Sequence, residues 1–230
     1  MGSRRIWEID FFRVMAIILM VIFHTVFDLN RFVGIGINYL SGFWYWEGKT
    51  SALIFIFLAG ISSGFSNNSI SRGSKVLAYG MMITLVTYIF FREQYVRFGI
   101  LHLLGISMIL FPLFKKMNNM LLFISSAVIA LTAIPLKNTM VKTSLLLPFG
   151  AVYKEFVTVD YYPLSPYLSM FLLGVLAYKM YYYKKQSLYE FNYENKYISA
   201  ISKNSLAIYL IHQPIIISAI FLFKFLTRSS

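Results

Sequence analysis

Residues 10–29 read DFFRVMAIILMVIFHTVFDL, and the reading of this stretch decides the fold. Its apolar centre suits a helix crossing the roughly 30 Å of a bilayer's hydrocarbon, which takes about 20 residues. Yet Asp10 and Arg13 stand at one end, and His24 and Asp28 towards the other. An α-helix turns about 100° per residue. The eleven-residue step from Arg13 to His24 therefore returns to nearly the same face, and Asp28 follows one turn later. The four groups form one polar stripe, rising roughly 16 Å between Arg13 and His24. A charge at the bilayer centre costs about 2.5–3.5 kcal/mol by insertion scales, so the stripe is expected to face a bundle interior or a wet cavity.

The rest of the chain supports a membrane setting. Of 230 residues, 58% are hydrophobic and 13% charged, with mean hydropathy +0.67, outside the range of soluble globular domains. The expected fold is an all-α polytopic bundle of about seven transmembrane helices, at 11–28, 50–66, 76–91, 98–114, 119–135, 165–183 and 205–223. No repeat or low-complexity linker divides the chain, so one domain over 1–230 is expected. The net charge of +12 comes from Lys and Arg in short segments between apolar runs. It points to topology and anionic head groups, and no nucleic-acid partner is expected.

Ten Lys and Arg, among them Arg4, Arg5, Arg72, Lys75, Lys115 and Lys116, fall on the N-terminal side against nine on the other, a modest bias from which a cytoplasmic N-terminus, an external C-terminus and a multi-pass protein of the cell membrane are expected. The first run lacks a small-residue cleavage pattern and reads as an uncleaved span. Without cysteine there is no disulfide, thiolate metal site or cysteine nucleophile, and no metal is expected.

His24 lies too deep for an interfacial residue. An imidazole with an ordinary pKa near 6.5 accepts and returns a proton around neutrality, and a carboxylate one turn away, Asp28, could fix its tautomer. Such a pair serves a general base, or a histidine that attacks an activated carbonyl. Each polar group also has an ordinary reading. Arg13 can be a snorkelling anchor paired with Asp10, Asp28 a span terminator, and His24 a helix-to-helix hydrogen bond. His102 lies in RFGILH, near the same outer boundary as Asp160, which precedes Tyr161, Tyr162 and Pro163 and can equally be a loop cap. His212 precedes Gln213 and Pro214, and packing against a proline kink is the plainer role for it. Asn204 reads as the N-cap of the last span.

Taken together, RRIWEIDFFRVMAIILMVIFHTVFDL, FIFLAGISSGFS at 55–66, RFGILHLLGIS at 97–107, DYYPLSPYLSMFLLG at 160–174 and NSLAIYLIHQPI at 204–215 resemble a known family. They are similar to the bacterial relatives of the lysosomal heparan-alpha-glucosaminide N-acetyltransferase, within the transmembrane acyltransferase superfamily. Arg13, ten residues, then His24 is similar to the signature of its acyltransferase-three branch. The resemblance implies a membrane O- or N-acetyltransferase moving an acetyl group from cytoplasmic acetyl-CoA to an extracytoplasmic acceptor, a sugar or cell-envelope glycan. It implies His24 as general base or transient acyl carrier supported by Asp28, with His102 as a further site residue. The donor's phosphates would meet Arg13, Arg72 and Lys75, and the acceptor Asp160, Tyr161 and Arg97, with Asp10, Asn204 and His212 lining or supporting the site. The lysosomal relative's dimer implies a homodimer. Two departures stand out: Val14 where the family usually has glycine after the arginine, and no histidine between 29 and 49.

Two other classes use the same groups. A proton-coupled transporter would run His24 and Asp28 as a relay, although no internal duplication is visible. A membrane cytochrome would use His24, His102 and His212 as axial haem ligands.

Overall fold

The computed structural model describes residues 6–137, 139–191, 193 and 195–228. Arg4 and Arg5, which weigh in the charge balance, lie outside them. Nine α-helices appear among the described residues: α1 (Trp7–Asp28), α2 (Gly42–Gly64), α3 (Ser69–Phe90), α4 (Ile100–Lys116), α5 (Asn119–Leu131), α6 (Ala133–Lys137), α7 (Leu164–Ala177), α8 (Lys196–Lys203) and α9 (Ser205–Arg228). Among the described residues isolated bridges stand in place of strands, Phe98 with Tyr161 and Met140 with Val152.

Each apolar run of the sequence is helical, but the helices outrun the apolar stretches. α2 begins at Gly42 rather than near residue 50, because backbone hydrogen bonding continues through GFWYWEGK. α3 begins at Ser69 because Asn68 accepts the Ser71 N–H at 2.9 Å. The same device starts α5, where Asn118 accepts from Leu121 at 2.7 Å, and α8, where Asn195 accepts from Tyr197 and Ile198. The polar linkers thus supply the caps that set helix starts. Asn204 stands at the junction of two helices: its side-chain amide donates to the Ala200 carbonyl at 2.9 Å, closing α8, and its own carbonyl accepts the Ile208 N–H at 2.9 Å at the start of α9. Segments Trp7–Val33, Ser69–Phe90, Asn119–Leu136 and Ser205–Thr227 are long and apolar enough to cross a membrane.

The chain forms two compact units, residues 1–55 with 189–230, and residues 56–188. In the first, α1 packs on α8 and α9. α1 exposes Phe11, Phe12, Ile18 and Ile22 and buries Ile9, Val14, Ile17, Met20 and Val26 on its other side. Leu29–Val33 continue α1 as a π-helical turn, pinned where Lys224 of α9 donates to the Phe32 carbonyl at 2.7 Å.

In the second unit, α3 packs along α4, and α5 along α7. Ser126 of α5 donates to the Ser169 carbonyl of α7 at 3.0 Å. The Gly64 end of α2 crosses α7 at Gly60 and Gly174. A methyl group on Gly60 would overlap the Phe171 carbonyl oxygen, and one on Gly174 the Phe57 carbonyl oxygen, so only hydrogens fit there. The small residues of 59–64 serve this close approach.

Candidate functional site

The polar stripe of α1 is turned inward at both ends. Asp10 is 6% exposed and Asp28 fully buried, while Arg13 and His24 are half-buried.

At the Arg13 end, the guanidinium Nη1 donates to Ser202 Oγ at 3.0 Å, and Ser202 donates to Asp10 Oδ1 at 2.6 Å. Ser202, 1% exposed on α8, is therefore a relay between two residues of α1.

At the other end the expected pairing is rearranged. No hydrogen bond joins Asp28 to His24. Instead Gln213 of α9 directs its amide nitrogen at both Asp28 oxygens, at 3.0 and 2.9 Å. His24 meets His212, ring centroids 4.8 Å apart and planes inclined 59°, with Phe23 and Phe27 edge-on to the His24 ring. His212 Nδ1 lies 2.6 Å from the Tyr209 carbonyl, which can only accept, so that nitrogen carries the proton. With the proton on Nδ1, Nε2 of the uncharged ring is an acceptor. This atom, His24 Nδ1 and Gln213 Oε1 are all buried and without a hydrogen-bond partner.

Buried polar atoms ordinarily have partners, so three unmet atoms on adjacent side chains mark a place where a ligand's polar groups would fit. Pro214, which cannot supply a backbone N–H, immediately follows the Gln213 anchor.

The remaining expected residues lie in the second unit. His102 accepts from the Gly99 N–H through Nδ1 at 3.2 Å and faces Thr84 Oγ1 through Nε2 at 3.3 Å. Both ring nitrogens are engaged, which suits a ring that holds the start of α4 against α3 better than a free base. Asp160 Oδ2 accepts from the Ile100 N–H at 3.0 Å, capping α4.

Arg97, Asp160 and Tyr161 are brought together because segment 94–98 pairs with 158–162, through Val159 N–H to the Gln94 carbonyl and Tyr162 N–H to that of Phe98. The Arg97 guanidinium sits over Tyr95, Tyr153 and Phe156 at 4.7, 5.4 and 5.5 Å, with its Nε buried and unpartnered. Tyr161 donates to the Leu147 carbonyl at 2.8 Å; burial first, and then the Tyr167 phenol, push its pKa up to about 12, so it remains a donor. Arg72 and Lys75 are exposed near the start of α3.

Gln213 and Ser202 are the site-forming residues that sequence reading missed, because a glutamine beside His212 and a lone serine carry no periodic signal.

A family model described as heparan-alpha-glucosaminide N-acetyltransferase, catalytic, matches residues 5–214, a span that includes each of these groups. No curated protein and no solved structure matches the chain.

Proposed function

The chain belongs to the heparan-alpha-glucosaminide N-acetyltransferase catalytic family, and from that premise we propose that it transfers acetyl groups from cytoplasmic acetyl-CoA to a hydroxyl or amine of an extracytoplasmic sugar. The observation that carries this reading is the set of unmet polar atoms around His24 on a helix apolar enough to span the bilayer. Seven crossings with a cytoplasmic N-terminus would put Arg13 at the donor's side and His24 deeper, about the reach of a pantetheine arm.

In this scheme the acceptor's oxygen or nitrogen attacks the thioester carbonyl, and His24 takes the proton it gives up. The tetrahedral adduct collapses with cleavage of the C–S bond, and the proton passes from His24 to the departing thiolate. Gln213 holds Asp28, and Asp28 acts on the site through that anchor. His212 supplies a neighbouring lone pair that limits how the His24 ring turns. Arg13, steadied by Ser202, meets a phosphate of the donor.

The test is release of free thiol from acetyl-CoA by the purified protein in nanodiscs with an amino sugar present. A carrier or a cytochrome would leave the thioester intact. Arg13→Ala is expected to raise KM for acetyl-CoA by about 10- to 100-fold, the worth of a charged hydrogen bond, with kcat nearly unchanged. An unaltered KM would remove Arg13 from the donor site.

Ser202→Ala isolates the relay. It is expected to raise the same KM by about 3- to 10-fold through loss of one hydrogen bond, and to leave KM for the sugar as it was. Steady-state titration of each substrate separates the two.

A further inference from the structure

Among the described residues, Glu47 is the buried carboxylate with both oxygens lacking a hydrogen-bond donor. It is 8% exposed, in the second turn of α2. Its direction follows from its neighbours on that helix. Ser51, one turn further on the same face, donates to the Ala16 carbonyl of α1 at 2.9 Å. Gly48 lies so close to Phe23 that a methyl group there would overlap the ring, and Phe23 meets the His24 ring at 5.6 Å. With Ser51 opposite Ala16 and Gly48 opposite Phe23, α2 runs antiparallel to α1 here. Glu47 therefore faces α1 on the His24 side of Ala16.

The unmet atoms of α9 near His24 and Asp28, Gln213 Oε1 and His212 Nε2, are acceptors on uncharged side chains, and both oxygens of Glu47 are acceptors when it is ionised. His24 Nδ1 can take either role. The unmet donor of the same unit, the Trp7 indole N–H, is at the far end of α1, roughly 25 Å away by helical rise. A buried carboxylate with no hydrogen-bond donor is costly, and something rich in donors that completes it removes that cost. The thioester group of acetyl-CoA offers only acceptors, its nearest donor being the amide N–H further along the arm. Hydroxyl and amine groups offer donors.

We propose that Glu47 is an acceptor-binding residue, whose carboxylate receives O–H or N–H donors of a polyol or amino sugar and holds that molecule against His24. The inference rests on the acetyltransferase reading above and adds to it a specificity-determining residue on α2.

The test uses the full chain in nanodiscs, glucosamine as the probe acceptor, and the variants Glu47→Gln and Glu47→Leu. KM for glucosamine should rise at least tenfold in both, with KM for acetyl-CoA within twofold of wild type and Glu47→Asp in between. Without substrates, both variants should melt about 2–4 °C higher than wild type, because an uncompensated buried acid is gone. Glucosamine alone should raise the melting temperature of wild type and not of Glu47→Gln.

An unchanged glucosamine KM, a raised acetyl-CoA KM, or a lower melting temperature in both variants would overturn the assignment. The last would mean that the carboxylate has a structural partner. If wild type leaves acetyl-CoA intact, the acetyltransferase reading fails first, and the glucosamine-dependent melting shift then decides the binding role by itself: its loss in Glu47→Gln upholds the role and its persistence rejects it.

Discussion

His24→Ala is expected to lower acetyl transfer by about 10²- to 10⁴-fold, the usual worth of a positioned general base, while leaving a protein that purifies and melts cooperatively. The fold should tolerate the change because His24 makes ring contacts with Phe23, Phe27 and His212 and its Nδ1 has no hydrogen bond to lose. Removing the ring leaves His212 Nε2, already unpartnered, no worse off. Thiol release with acetyl-CoA and glucosamine, compared with a melting curve on the same preparation, separates loss of chemistry from loss of fold. Turnover at the wild-type rate would reject the mechanism whatever the melting curve shows.

The largest effect on stability is expected from Gly174→Leu. At the crossing of α2 and α7 the two backbones touch, with a Cβ on Gly174 directed at the Phe57 carbonyl and lying 3.0 Å from the Gly60 Cα. Overpacking a core with side chains that can rotate away costs about 1–3 kcal/mol. A carbonyl in a helix cannot rotate away, so the helices must separate, and the cost should exceed that range and be comparable with a domain's whole stability of about 5–15 kcal/mol. The variant should elute as aggregate from detergent and be cut rapidly by protease. A monodisperse peak with wild-type protease resistance would show that the helices do not depend on this contact. Gly174→Ala should fall between, and Gly60→Ala, on the facing helix, should match it.

Much was legible from local pattern alone. The hundred-degree turn of a helix put Asp10, Arg13, His24 and Asp28 on one stripe, and the structure buries Asp10 and Asp28 on that side while leaving Ile18 and Ile22 outward. The small residues AGISSG at 59–64 permit a close approach, and Gly60 makes it. Arg97, Asp160 and Tyr161, which only the family resemblance groups together, are brought near one another by pairing of 94–98 with 158–162. Asp160, however, spends an oxygen on the Ile100 N–H, and His102 has both ring nitrogens engaged, so the polar groups of that place are more occupied than their residue types suggest.

Sequence by itself determined that each apolar run is helical and which face of α1 is buried, since both follow from hydrophobicity and a fixed angular step between neighbours. Tertiary structure alone decided that Asp28 answers to Gln213, 185 residues on, that Ser202 joins Arg13 to Asp10, and that His24 lies against His212. The reason is physical: a hydrogen bond between helices depends on their register and rotation, which packing of the whole unit sets, and no periodicity within one helix carries that information.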